Sequence, residues 1–362
     1  MKVATVIGAR PQFIKASVVS EELGRRKDVS ETLIHTGQHY DPSMSQVFFD
    51  DLGIPPPQHN LGIGSASHAV ATARMLERLE PILQTEAPDC VLVYGDTNST
   101  VAGALVATKL QLPVAHVEAG LRSWNRKMPE EINRIMTDSV SDLLFAPTQF
   151  AVDNLTHEGH PSSRIALVGD VMFDVALAAR ERAARESTVL EGLGLARGKY
   201  ILATIHRAEN TDDVQRLASV LGGLAEVAKT TPVVFPIHPR TKKMIEFQGL
   251  GKYLAGISTI APVGYLDMVE LERNARLIVT DSGGVQKEAF FHGVICVTLR
   301  DETEWVELVE LGWNFVTPPL SAATVSAGVE RGLNAGRGKP GRPYGNGDAA
   351  TRIVDRLLMG FR

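Results

Sequence analysis

Cys90-Val91-Leu92-Val93-Tyr94-Gly95-Asp96-Thr97-Asn98-Ser99 reads as one unit of a parallel sheet. Five apolar residues in a row suit a strand buried on both faces, as helices packed on each side of a parallel sheet require. The run breaks at Gly95-Asp96, and small polar residues then lead into a stretch of helical spacing, 101–109. The same phrase recurs outward in both directions. Toward the N-terminus, 3–7 is a first strand. A helix from Pro11 follows, with Ile14, Val18 and Glu22 on one face, and 32–35 is a second strand. Met44, Val47, Phe48 and Leu52 have helical spacing, closed by Pro55-Pro56-Pro57, and 66–84 is a further helix. Toward the C-terminus, 114–117 is a strand, 129–140 a helix, and 143–145 and 165–168 are strands completing a first sheet.

Composition then shifts. Residues 176–199 are rich in Ala, Arg, Glu and Gly and read as a charged helix plus a linker. After Lys199 the alternation restarts, with strands at 200–205, 233–237, 277–280 and 294–299 and helices near 212–229, 267–274 and 284–292. The glycine-rich stretch 336–347 precedes a last helix, 349–358. Two βαβ halves of similar size predict an α/β chain of two Rossmann-like domains facing a central cleft. The expected domains are 1–172 together with 348–362, and 173–347.

The 362 residues exceed one ordinary core, and two domains match that length. With 37 basic and 42 acidic residues the net charge is −5, which excludes broad electrostatic binding of nucleic acid but not a local phosphate pocket. A hydrophobic content of 44% with 22% charged residues belongs to a globular chain. Cys90 and Cys296 both lie in apolar runs and read as buried thiols of a reducing cytoplasm. The opening apolar run is too short for a signal peptide, and no run approaches the ~18 apolar residues of a membrane span.

Ligands of open parallel sheets gather beyond the carboxyl ends of the strands. The residues there are Gly8-Ala9-Arg10-Pro11-Gln12 with Lys15 a turn further on, Gly95-Asp96-Thr97-Asn98-Ser99, and Glu118-Ala119-Gly120-Leu121-Arg122. Pro129-Glu130-Glu131 opens the next helix; the second half adds His206-Arg207-Ala208-Glu209-Asn210, His238-Pro239-Arg240 and Asp281-Ser282-Gly283-Gly284. Asp96 and Ser99 could simply cap a helix, and Glu130 and Glu131 suit any first turn. Glu118, straight after a buried strand, has little capping role. Arg10 at a helix start opposes the helix dipole, which favours a ligand role. Thr280-Asp281-Ser282-Gly283-Gly284 after a strand offers backbone N–H groups to a phosphate, and Glu288 a turn later can accept from ribose hydroxyls. The pattern is that of a nucleoside diphosphate held by the second domain, with carboxylate chemistry in the first. No His/Cys/Asp spacing indicates a metal site.

Taken together, these residues resemble the non-hydrolysing UDP-N-acetylglucosamine 2-epimerases over nearly the whole chain. The resemblance rests on Gly8–Lys15, Thr36-Gly37-Gln38-His39, Gly95–Thr100 and His116–Arg122. It extends through Pro129–Arg134, His206–Asn210, Thr280–Gly284 and Tyr344-Gly345-Asn346-Gly347. It implies a GT-B-like pair of domains with the last helix crossing back to the first, a homodimer, and no metal or nicotinamide cofactor. It also implies that Asp96, Glu118 and Glu130 are the catalytic carboxylates. His206 acts beside them and, with Arg10 and Lys15, lines the sugar and its diphosphate; Ser282, Gly283, Gly284 and Glu288 hold UDP. The implied reaction interconverts UDP-N-acetylglucosamine and UDP-N-acetylmannosamine by eliminating UDP to a 2-acetamidoglucal and adding it back. Inverting one carbon asks for acid/base groups on both faces of the ring, which suits several carboxylates. A GT-B glycosyltransferase would share the architecture and nucleotide site but not the need for three carboxylates.

The chain also departs from the common pattern. Gln12 stands where Glu is usual, and Trp305 in Thr303-Glu304-Trp305 stands where Arg is usual. Ala208 follows Arg207 where regulated members have a second Arg, and Gln38-His39-Tyr40-Asp41 replaces Gln-His-Arg-Gln, so activation by a second substrate molecule is expected to be weak or absent. The same departures resemble a subgroup acting on UDP-2,3-diacetamido-2,3-dideoxyglucuronate, a precursor of cell-envelope polysaccharide. Its extra carboxylate would pair with the basic loop Arg122-Ser123-Trp124-Asn125-Arg126-Lys127. Expected partners are thus a UDP-sugar and UDP, with neither nucleic acid nor membrane.

Overall fold

The structure, a computed structural model, describes residues 1–38, 56–64 and 66–360, with the Arg10 side chain outside that set. The helix expected around Met44–Leu52 and the stretch His39-Tyr40-Asp41 lie outside the described residues. The chain divides into two α/β units, Met1–Val175 with Arg342–Arg362, and Ala176–Gly341. None of the described helices is long and apolar enough to cross a membrane.

The first unit is built on a seven-stranded sheet in the order β3-β2-β1-β4-β5-β6-β7. Its strands are β1 (Lys2–Ile7), β2 (Ser30–His35), β3 (His59–Asn60), β4 (Cys90–Tyr94), β5 (Val114–Val117), β6 (Leu143–Ala146) and β7 (Ile165–Leu167). Every pairing is parallel. The two-residue period sorts β4 between two cores. Leu92 and Tyr94 join one with Ile7 and Phe145, while Val91 and Val93 join the other with Met75 and Leu79. The last helix, Ala349–Gly360, closes the first core by burying Ile353, Val354 and Leu357 fully. Each such side chain contributes about 1.5–3 kcal/mol.

That helix is fastened by the segment before it. Tyr344 O accepts from Asp170 N at 3.0 Å. Gly169 has φ +93°, and a Cβ there would stand 2.9 Å from Tyr344 O, so the close approach needs glycine. The Asp174 carboxylate accepts from Ala349 N at 3.2 Å and Ala350 N at 2.8 Å, capping the helix. Burial raises the Asp174 carboxyl to about 6, the two N–H groups opposing it in part.

The second unit has a six-stranded sheet in the order β10-β9-β8-β11-β12-β13. Its strands are β8 (Ile201–Thr204), β9 (Val233–Pro236), β10 (Ser258–Ile260), β11 (Leu277–Thr280), β12 (Cys296–Thr298) and β13 (Asn314–Val316), again paired in parallel throughout. The charged stretch read at 176–199 resolves into the helix Val171–Glu186 and a short helix Val189–Gly192. Three short strands, β3, β10 and β13, and the helices Gln149–His157, Pro239–Phe247 and Ala322–Asn334 had no clear sequence signal. In the last, Gly332 looks like a breaker. A Cβ there would come within 2.7 Å of Val297 and 2.9 Å of Leu277, so glycine is what lets the helix lie against the sheet.

In each sheet the strand order reverses once, between β1 and β4 and between β8 and β11, and the loops leaving those strands flank the point of reversal. In both units a buried polar side chain ties the two segments that leave those strands together. Gln12 does so in the first and Asp281 in the second.

Candidate active site

In the first unit, Gln12 is 1% exposed and uses both ends of its amide. Its Oε1 accepts from Gly8 N at 2.8 Å and Ala9 N at 3.0 Å, and its Nε2 donates to Tyr94 O at 2.9 Å and Thr100 Oγ1 at 3.0 Å. An ionised glutamate could accept but not donate, so glutamine is the residue that joins the loop after β1 to the end of β4 and the helix that follows it. Thr97, not Asp96 or Ser99, caps the helix Asn98–Lys109, its side chain accepting from Thr100 N; such a cap contributes about 1 kcal/mol. Ser99 is buried against Thr36 Oγ1 at 2.8 Å.

Freed from capping, Asp96 is held from the next helix, Pro129–Val140. Arg134 donates to Asp96 Oδ2 from Nε at 3.0 Å and Nη2 at 2.7 Å, and Asn133 Nδ2 donates to Asp96 O at 2.9 Å. Glu118 follows β5 with φ +73°, a left-handed conformation that costs a non-glycine residue about 1 kcal/mol or more. The strain is held by Phe145 O, which accepts from Glu118 N and Ala119 N, both at 3.1 Å. Glu118 pairs with Lys15 from the first helix, Arg10–Gly24, both side chains largely buried. Its Oε2 lies 3.8 Å from where a Cβ on Gly95 would stand, so the Glu118 carboxylate sits over the residue that precedes Asp96.

Glu130 and Glu131 are adjacent and differ completely. Glu130 is exposed at the helix start. Glu131 is 1% exposed and accepts from Ser123 N and Trp124 N, both at 2.9 Å, and from Arg134 Nη1 at 2.7 Å. Burial opposes its charge, but these donors outweigh burial and keep the carboxyl below its ordinary range. Glu131 therefore braces the loop before the helix, including Trp124 at φ +60°, and leaves Glu130 to face outward.

Deeper in the unit, His116, Asp138 and the Arg122 side chain are wholly buried. His116 Nε2 is 2.7 Å from Gly95 O and its Nδ1 is 2.7 Å from Asp138 Oδ1. Asp138 Oδ2 accepts from Gly120 N at 3.1 Å and Arg122 at 2.7 Å. Arg122 is also bound to Glu158 at 2.6 Å. This corrects the reading of the loop 122–127 as a basic patch. Arg122 is consumed by two internal carboxylates and cannot meet a ligand's carboxylate, while Arg126 and Lys127 remain exposed.

In the second unit, Asp281 is 0% exposed and plays the part that Gln12 plays in the first. It accepts from His206 N at 3.0 Å, Arg207 N at 3.1 Å and Asn210 Nδ2 at 3.0 Å, fixing the turn after β8. Burial lowers the His206 imidazole; Asp281, at 3.8 Å from Nδ1, opposes this, and His238 and Arg207 reinforce it. Ser282 caps the ten-residue helix Gly283–His292, the start of the expected nucleotide site, with Gly284 in its first turn and Glu288 half-buried further along. Trp305 Nε1 donates to Gly283 O at 2.9 Å, and Lys287 Nζ lies 4.4 Å above the indole. The indole at the position of the usual arginine thus packs on the helix start with a lysine on its face. At the far end of that helix, His292 and Glu272 are both 1% exposed and 3.7 Å apart. Burial lowers the His292 imidazole to about 4, while burial and Glu288 push the Glu272 carboxyl well up, so this is a neutral contact and not a salt bridge.

Of the residues singled out in the sequence, Lys15, Asp96, Glu118 and Glu130 thus lie in the first unit, and His206, Ser282, Gly283, Gly284 and Glu288 in the second. Arg10 begins the first helix. Arg134, Glu131, His116, Gln12 and Asp281 stand in the quoted motifs and Asp138 lies outside them; none was singled out as a site residue. Each acts by reaching another motif.

The sequence matches the family model described as UDP-N-acetylglucosamine 2-epimerase over residues 21–358. It is 51% identical over 361 residues to the UDP-2,3-diacetamido-2,3-dideoxy-D-glucuronate 2-epimerase of Pseudomonas aeruginosa, covering 99% of each chain. Among solved structures, the UDP-GlcNAc 2-epimerase of Methanocaldococcus jannaschii in complex with UDP-GlcNAc and UDP superposes with a TM-score of 0.87 at 44% identity, covering 99% of this chain and 100% of that one. The UDP-GlcNAc 2-epimerase of Neisseria meningitidis bound to UDP-GlcNAc gives a TM-score of 0.88 at 30% identity, with the same coverage. With motifs, fold and these matches in agreement along the whole chain, it belongs to the UDP-N-acetylglucosamine 2-epimerase family of nucleotide-sugar isomerases.

Proposed function

We propose that this chain inverts carbon 2 of a UDP-2-acetamido sugar by eliminating UDP and adding it back. The observation that carries the reading is the arrangement after β4 and β5. Asp96 and Glu118 leave adjacent parallel strands, each with its own cation, Arg134 and Lys15, and Glu130 opens the helix that supplies Arg134. A carboxylate removes the proton from carbon 2 as the bond from carbon 1 to the phosphate oxygen breaks, and UDP leaves with the electron pair. A second acid returns a proton to the other face of the 2-acetamidoglucal, and UDP re-adds at carbon 1. Charge grows on the diphosphate as it leaves. The N–H groups at Ser282–Gly284, with His206, Lys15 and Arg10, are the groups assigned to stabilise it, and Glu288 is assigned to the ribose. The chain is expected to work as a homodimer.

UDP-N-acetylglucosamine is the first substrate on this reading. A second reading keeps the chemistry and changes the sugar to UDP-2,3-diacetamido-2,3-dideoxyglucuronate, and the 51% identity with the Pseudomonas aeruginosa enzyme favours it. Positional isotope exchange tests the elimination in either case. With 18O in the bridge between carbon 1 and the β-phosphorus, the label will move into the non-bridging β-phosphate positions during turnover. A label that stays in the bridge while carbon 2 inverts contradicts the elimination.

A further inference from the structure

Two contacts of His116 do not fit a neutral imidazole. Nε2 faces Gly95 O at 2.7 Å, and a carbonyl oxygen only accepts, so Nε2 carries hydrogen. Nδ1 faces Asp138 Oδ1 at 2.7 Å. The other oxygen of that carboxylate is filled by the Gly120 N–H and the Arg122 guanidinium. A guanidinium at 2.7 Å in a site closed to water holds the Asp138 carboxyl in its ionised form. Oδ1 is therefore also an acceptor, both ring nitrogens are donors, and the ring is an imidazolium. The cluster is balanced: His116 and Arg122 against Asp138 and Glu158. The nearby acids of the site have their own cations, Asp96 with Arg134 and Glu118 with Lys15.

Each end of this ion pair belongs to a different part of the proposed site. Gly95 immediately precedes Asp96. His116 stands two residues before Glu118, and Gly120, bound to Asp138, stands two residues after it. Asp138 lies on the helix that Glu130 opens. We propose that the buried His116–Asp138 ion pair is the positioning element of the active site, tying together the elements that carry Asp96, Glu118 and Glu130 without itself touching the sugar. The proposal rests on the reaction assigned above. A buried pair of this kind adds little net stability over apolar side chains of the same volume. Its two directional bonds instead fix three separate backbone segments to within the fraction of an ångström that proton transfer to and from one carbon requires.

The test uses the full chain with labelled histidine. In the unmutated protein, 15N spectra will show both His116 ring nitrogens protonated, the signal being assigned by its loss in His116→Gln. Asp138→Asn removes the counter-charge and leaves one nitrogen protonated. Its kcat will fall about 100-fold, while KM and the UDP dissociation constant change by less than about threefold. His116→Gln, which can still donate to Gly95 O, will retain more activity than His116→Leu. A His116 ring with one bare nitrogen in the unmutated protein overturns the proposal, whether or not the variants fold. So does a folded Asp138→Asn with kcat within about threefold of the parent. Epimerisation with no solvent hydrogen incorporated at carbon 2 by the unmutated enzyme would instead overturn the reaction itself, and the ring spectrum is read independently of that.

Discussion

Arg134 grips one oxygen of Asp96 with two nitrogens, Nε at 3.0 Å and Nη2 at 2.7 Å, and spends its remaining Nη1 on Glu131 at 2.7 Å. One guanidinium therefore sets the direction of Asp96 and, through Glu131, the shape of the loop before Glu130. Arg134→Gln will lower kcat about 100-fold by releasing Asp96 from its aim. UDP affinity, measured by calorimetry, will be unchanged. A variant that loses UDP binding as well would show that Arg134 contacts the nucleotide.

Glu118 is held in a left-handed conformation beside Lys15, and the cost of that backbone is repaid only if the carboxylate must stand there. Glu118→Gln keeps the shape and removes the base. Initial rates will fall by roughly 10²–10⁴-fold, the usual contribution of a placed acid or base. Full activity in Glu118→Gln would remove it from the chemistry.

His292 sets a sign for the effect of acid on stability. Its imidazole is lowered to about 4 in the fold, from 6.5 when exposed. Between those values the unfolded chain binds a proton that the folded chain refuses, so the fold's advantage is complete above pH 6.5 and is lost as pH falls toward 4. The difference is on the order of 3 kcal/mol. His292→Leu cannot take up that proton in either state. Melting temperatures of parent and variant between pH 4.5 and 7.5 will therefore converge or cross on the acid side; curves that stay parallel would contradict the neutral burial of His292.

Burial of Arg122 leaves Arg126 and Lys127 as the basic residues of that loop for the carboxylate of a uronate sugar. If the diacetamido-glucuronate is the substrate, Lys127→Ala combined with Arg126→Ala will raise its KM about tenfold and leave UDP-N-acetylglucosamine kinetics unchanged. Equal effects on both sugars would show that the loop does not read the carboxylate. Direct comparison of kcat/KM for the two UDP-sugars on one preparation decides between them.

The fold was legible wherever a buried strand ended in a polar turn. β4, β5 and β11 and the helix Pro129–Val140 follow directly from apolar runs and from Pro129 at a helix start. β13, three residues at a sheet edge, offered no periodicity to read, and glycines inside Ala322–Asn334 disguised a helix that needs them for packing. In the site, residue type exposed the acids but not what aims them. Glu131 looked like a second copy of Glu130 because first-turn chemistry is the same for both. Only burial and the Ser123 and Trp124 N–H groups separate them. Gln12 reads in the sequence only as a departure from Glu, whereas its amide joins Gly8 and Ala9 to Tyr94 and Thr100; Arg122 reads as part of a basic loop, whereas Asp138 and Glu158 occupy it. Long-range partners are what a linear pattern lacks.

Proton NMR of the UDP-sugar after incubation with the enzyme in deuterated water tests the central claim most directly. The account predicts deuterium at carbon 2 of both epimers, with the UDP-sugar intact. Epimers that keep protium at carbon 2, free sugar with released UDP, or no change at all would contradict it.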